Sequence, residues 1–247
     1  MPDINKANRQ VCDVDIRDLK TMKPFMFFET ANTTTQNISS DSVFAMAKGT
    51  KRIGFANPMD GTATIETQVY PFRLYSLMTD GVVESTAMYP ERKVIKCETA
   101  GKLTIPEVSG GTIDSVFVFA EDDFGGTEIK GSFSNSLFTP TETSQIAIGK
   151  SYEVGYMVTK TTGVRKISFN NNKLPKAYYI SMNTVEKDEN EVLTPYKIIL
   201  YKAQPQRNFE LSQSSEGEPA SLQLSFDLLE DKDGNFVDMI EIEDEAE

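Results

Sequence analysis

Apolar and β-branched residues fall in short runs along most of this chain, each closed by glycine, asparagine, aspartate or proline. Residues 43–47 break at Lys48-Gly49, residues 52–56 end in the turn signal Asn57-Pro-Met-Asp-Gly61, and residues 62–70 alternate β-branched with polar positions. Such spacing predicts a strand, a turn and a partner strand. The period changes over residues 71–80, where Phe72, Tyr75 and Met78 gather on one side of a helix. That helix opens at Pro71 and stops at Asp80-Gly81. It is the one helix the pattern predicts, and residues 88–97 return to strand.

A more compact text follows. Residues 102–106, 115–120, 129–133, 136–138 and 151–158 read as short strands separated by glycine turns, of which Ser109-Gly-Gly111 and Asp122-Asp-Phe-Gly-Gly126 are the clearest. Many short strands at close spacing predict a sandwich, and residues 98–160 have the size of a small immunoglobulin-like one, without the cysteine pair or the tryptophan of antibody domains. Longer runs resume at 165–169, 177–182, 194–203, 208–211 and 220–229. Polar turns at 186–191 and 214–219 lie between them. Strands therefore flank the compact stretch on both sides. Residues 1–97 and 161–247 are expected to form one discontinuous domain, and 98–160 an insertion within it. Residues 1–42 read as an extended arm followed by a polar loop. Within the arm, Phe25, Phe27 and Phe28 flank Met26 and form an apolar clasp suited to packing on this subunit or on a neighbour. These three phenylalanines are the candidate assembly residues.

Composition narrows the chemistry. There is no histidine, which removes the commonest general base and metal ligand. The two cysteines, Cys12 and Cys97, are far apart and read as buried thiols, not as a disulfide or thiolate metal site. Asp231-Lys-Asp-Gly-Asn235 begins like a calcium loop, but its glycine comes two positions early, so a hairpin turn is expected. No glycine-rich loop precedes a helix in the manner of a nucleotide site. No catalytic, cofactor or metal residue is assigned, and no enzyme activity is expected. The formal charge of −12 is concentrated at the C-terminus, where ten acids from Asp227 onward face Lys232 alone. Lysine and arginine are scattered, so no basic nucleic-acid surface is expected. No apolar run approaches the roughly 20 residues of a membrane-spanning helix, and the start of the chain does not read as a secretory signal.

The order of pieces resembles the tail tube, or major tail, proteins of bacteriophages. The resembling text is Lys51-Arg-Ile-Gly-Phe55, Thr62-Ala-Thr-Ile-Glu-Thr67, Leu77-Met-Thr-Asp-Gly81, Tyr196-Lys-Ile-Ile-Leu-Tyr-Lys-Ala203, Phe209-Glu-Leu-Ser212 and the run from Gly217 to Leu229. The resemblance implies a mainly β fold: a tail-tube-type sandwich or barrel with one flanking helix, carrying the immunoglobulin-like insert. It also implies a structural virion protein, assembled in the host cytoplasm as stacked six-membered rings that pass genome DNA without specific binding. Its partners would be further copies of itself and other tail proteins, with no membrane. Two other functions fit a β-rich acidic chain. One is a capsid decoration or fibre-attachment protein. The other is a carbohydrate-binding module using Tyr178 and Tyr179 as a stacking platform.

Overall fold

The computed structural model describes residues 5–208 and 219–242. The chain divides into two compact units: the stretch ending at Val82 joins the stretch beginning at Ser168, and Val83–Ile167 forms the other. The first stretch supplies β1 (Lys6–Ala7), β2 (Asp13–Asp18), β3 (Pro24–Phe28), β4 (Ala31–Ser39), β5 (Ser42–Ala47), β6 (Thr50–Ala56) and β7 (Asp60–Thr67). The second unit holds β8 (Ala87–Lys96), β9 (Leu103–Thr104), β10 (Gly111–Ala120), β11 (Gly131–Ser134), β12 (Leu137–Pro140) and β13 (Ser151–Lys160). The return stretch adds β14 (Tyr178–Asp188), β15 (Leu193–Pro205), β16 (Leu222–Leu228) and β17 (Val237–Glu241). The fold is mainly β, as its alternating text implies.

In the first unit one large antiparallel sheet runs β3-β2-β14-β15-β16-β7-β4, with β1 paired to β14 and β17 to β15. β14 shows why it forms: Tyr178, Ile180, Met182 and Thr184 are buried while the residues between them are only partly covered. The sheet folds over on itself without pairing its two end strands. β15 is the bend, because one of its edges holds β17 over Tyr196–Leu200 and then β16 over Ala203–Pro205. Val14 and Ile16 of β2 and Ile180 and Met182 of β14 thereby share a core with Ile65 of β7 and Leu224 and Phe226 of β16. The Gln36 side-chain amide of β4 donates to the Met182 sulfur at 3.4 Å, tying together strands that are far apart in the sheet order.

The expected helix is a 3-10 helix, Phe72–Met78, after Pro71. Its buried side is Leu74 and Leu77 with Met78, while Tyr75 is half-buried against the core and meets the exposed Phe72 edge to face at 5.9 Å. In a helix of three residues per turn, both 72-75-78 and 74-77 lie along a face, so the spacing alone does not tell which face is buried. The chain turns away after it at Gly81, whose φ of +77° favours glycine and whose missing Cβ would lie 2.8 Å from the Tyr178 hydroxyl.

Three expectations change. The supposed arm and loop of residues 1–42 contain β2, β3 and β4 of the main sheet. The Thr30–Asp41 text hides a strand because β4 is a polar one, its inner positions being Thr34 and Gln36 opposite Ile65 and Ala63. Residues 165–169 form no strand; Lys166 makes an isolated bridge to Glu84. The compact unit also reaches beyond the expected 98–160. β8 pairs with β13 along its whole length, from Ala87 opposite Lys160 to Lys96 opposite Ser151, which brings β8 into the unit. Of the expected 208–211 strand, residues 209–211 lie outside the described residues, as do 214–218 of the following turn.

The Val83–Ile167 unit has two three-stranded sheets, β10-β13-β8 and β11-β12-β9, around one core. That core includes Leu103, Val118, Phe138, Val154 and Tyr156.

Candidate assembly surface

Beyond the β4–β7 pair the chain runs on into a second ribbon. The Asn57 amide donates to the Asp41 carbonyl at 3.0 Å and the Ser40 hydroxyl to the Asn57 carbonyl at 2.7 Å, joining the two ladders. β5 and β6 then pair alone, closed by Lys48 and Gly49 at φ +49° and +79°. Two consecutive left-handed residues are what a two-residue primed turn requires, and the right-handed twist of the strands favours it. Every residue of β5 and β6 is exposed.

The register sorts the ribbon into two unlike faces. Val43 lies opposite Phe55 and Ala45 opposite Ile53, giving one apolar face on which Val43, Ile53 and Phe55 are each more than half exposed. On the other, Phe44 lies over Gly54, with the Lys51 ammonium 4.0 Å from its ring centroid. Lys48, Lys51 and Arg52 are the charges between Ser42 and Met59, where no acid occurs. A lone two-stranded ribbon is marginal in water, and exposed contiguous apolar surface marks a contact site.

The expected clasp is only partly open. Phe28 is 5% exposed and Met26 is buried. Phe25 packs on Tyr178 at 5.1 Å with the Arg73 guanidinium 4.2 Å from its ring centroid. Phe27 alone of the three points outward, at 53% exposed, and lines a shallow groove of about 300 Å³ with Phe28, Glu29, Val69 and Tyr70. The pattern predicts strands at 43–47 and 52–56 with a break at Lys48-Gly49, as found, but not that both stand exposed, since short apolar runs ordinarily face a core. The signal that could have shown it is the set of three cations with no acid between Ser42 and Met59.

Strand edges complete the surface. β3 and β4 end the sheet, each paired on one side only among the described residues, and β17 pairs only with β15. β4 carries no charged residue and no proline, the usual guards of a solvent-facing edge. Its outward side chains continue across β7 and β16 in three rows. Thr33, Glu66 and Gln223 form one, Thr35, Thr64 and Ser225 the next, and Asn37, Thr62 and Asp227 the third.

Residues 9–242 match the model of the YomU/Tube protein family. The chain belongs to that family. The match spans both compact units and the ribbon. No curated protein matches the chain.

Other chemistry in this YomU/Tube chain resolves into structure. The Asp231 carboxylate accepts from the backbone of Asp233 and Asn235 and from the Asn235 side chain, and that last bond leads in holding its pKa below the usual range. The loop is a self-capped turn. Tyr178 is buried, and Tyr179 meets Tyr201 edge to face at 6.0 Å, so the pair presents no flat platform for a sugar. Among the described residues no cluster of histidine, cysteine or carboxylate is placed to hold a metal, and no helix is long and apolar enough to cross a membrane.

Proposed function

We propose that this chain is the structural subunit of a bacteriophage tail tube, non-enzymatic, stacking as hexameric rings through which genome DNA passes. Its partners are further copies of itself and other tail proteins. The Val83–Ile167 unit is then an immunoglobulin-like module carried by the tube.

The observation that carries this reading is the β5–β6 ribbon, exposed on both faces and apolar on one. A monomer gains nothing from that surface, since each large apolar side chain left in water forgoes about 1.5–3 kcal/mol of burial. Membership of the YomU/Tube family and the unguarded β4 edge point the same way. A head-to-tail contact that closes by rotation builds a ring, and joining edges around it removes their liability.

Negative-stain microscopy of the purified chain tests the reading, with rings or tubes expected. Monomers or trimers under all conditions would favour a capsid decoration role instead. Ile53→Ser with Phe55→Ser should leave a folded monomer and abolish polymer; normal tubes from that variant would remove the ribbon from the interface.

A further inference from the structure

Resting on the tube reading, we propose that the outward face of the β4–β7–β16 layer is the wall along which duplex DNA slides. The alternation settles which side chains form it. Ala63 and Ile65 of β7 and Leu224 and Phe226 of β16 are buried, so their neighbours in sequence face out.

Charge decides the occupant. Duplex DNA carries one negative charge per roughly 1.7 Å of axis, and each lysine or arginine that meets a phosphate releases counterions and binds. A wall with cations would hold the genome. Across the three rows the only charges are Glu66 and Asp227, and the rest are hydroxyl and amide side chains with no large apolar group. Such groups exchange hydrogen bonds with water and phosphate alike and hold neither. Other outward surfaces of this unit differ. The outer face of β2, β14 and β15 is mixed, bearing Asp13, Asp15, Arg17 paired to Asp15, Lys197 and the large rings of the Tyr179–Tyr201 pair, and the ribbon bears its three cations. Arg207 shares a depression with Asp227 but belongs to none of the three rows, and its guanidinium is directed to the Asn170 carbonyl at 2.8 Å.

The β4 edge adds a second observation. An uncharged nine-residue edge strand in water invites aggregation. If the sheet of the next subunit continues from it, the same polar face is carried around a closed wall.

Site-directed thiols test the assignment in the assembled full chain, since the native Cys12 and Cys97 are buried. Thr64→Cys, and separately Thr35→Cys on the adjoining strand, are treated with a small fluorescent maleimide and with a maleimide carried on a large globular protein. The free subunit should react with both. Tubes should react with the small reagent, while labelling by the bulky one falls to the level of wild-type tubes. Tubes reacting fully with the bulky reagent would put the face on the exterior, and tubes reacting with neither would make it a subunit contact; either result overturns the lumen assignment alone. Failure of the wild-type chain to form tubes would overturn the tube reading and this assignment with it.

Discussion

Tyr178 shows how one side chain can be costly and still hold a place. Its ring packs on Phe25, yet its hydroxyl is buried without a hydrogen-bond partner among the described residues, beside the Gly81 backbone. Burial raises the phenol from 10.0 to about 12. The folded protein therefore keeps a proton that the unfolded chain releases near pH 10, so this stability is complete below that value and is lost as pH rises toward about 12. Tyr178→Phe, which removes the unpaired hydroxyl, should unfold at equal or higher denaturant than wild type at pH 8 and lose less between pH 10 and 12. A second test concerns Glu153, buried on β13, whose carboxylate takes a 2.7 Å bond from Arg92 of β8 through one oxygen and leaves the other unpaired among the described residues. Removing one partner of a buried pair strands the other charge. With Arg92 half exposed, Arg92→Ala should cost roughly 1–3 kcal/mol in urea unfolding. Adding Glu153→Gln should recover part of that loss.

Elements carry the contrast between packing and contact. Phe27 and Phe28 are neighbours in sequence and opposites in exposure, because successive residues of a strand face opposite ways. Phe28→Ser opens the core and should cost about 3–5 kcal/mol, as large-to-small changes at buried phenylalanines do. Phe27→Ser should shift monomer stability by less than about 0.5 kcal/mol, and weaken polymer formation if the groove it lines is a contact. Thermal unfolding of the monomer and sedimentation of the polymer separate the two. The sequence shows strands 62–70, 177–182, 194–203 and 220–229 plainly, since each buries alternate apolar residues on one core. It hides β4, whose inner positions are polar, and it hides the exposure of β5 and β6, whose apolar runs look like core. Period-two text names two faces without saying which is covered. For the same reason the spacing of the 3-10 helix marks Met78 and Tyr75, which do meet the core, but not that Leu74 and Leu77 are the residues most fully buried while Phe72 is exposed.

At the scale of the whole molecule, the two units differ in what the chain must do to complete them. The first completes its sheet only by joining β1–β7 to β14–β17 across a long excursion, so its folding depends on distant pairing. The second completes itself within Val83–Ile167 around its own core. At its base, Glu84 and Lys166 exchange both backbone hydrogen bonds at 2.8 Å and are joined again by a side-chain ion pair. Deleting Val83–Ile167 and linking Val82 to Ser168 with a short Gly-Ser segment should leave the first unit folded by circular dichroism. On the tube reading, the product still polymerises into tubes with a smooth, thinner exterior. Unfolded protein, or tubes with a collapsed channel, would show that the unit belongs to the wall.

The Glu84–Lys166 clip also bears on how such a chain can change over generations. Because Glu84 and Lys166 meet each other, any self-contained segment whose two ends lie side by side could stand in for everything between them without stretching the flanking chain. The surrounding sheet sees the same short gap whichever module fills it. On the tube reading, the segment between those two residues should tolerate replacement better than the ribbon, the β4 edge or the polar face, which on that reading meet other subunits or the genome.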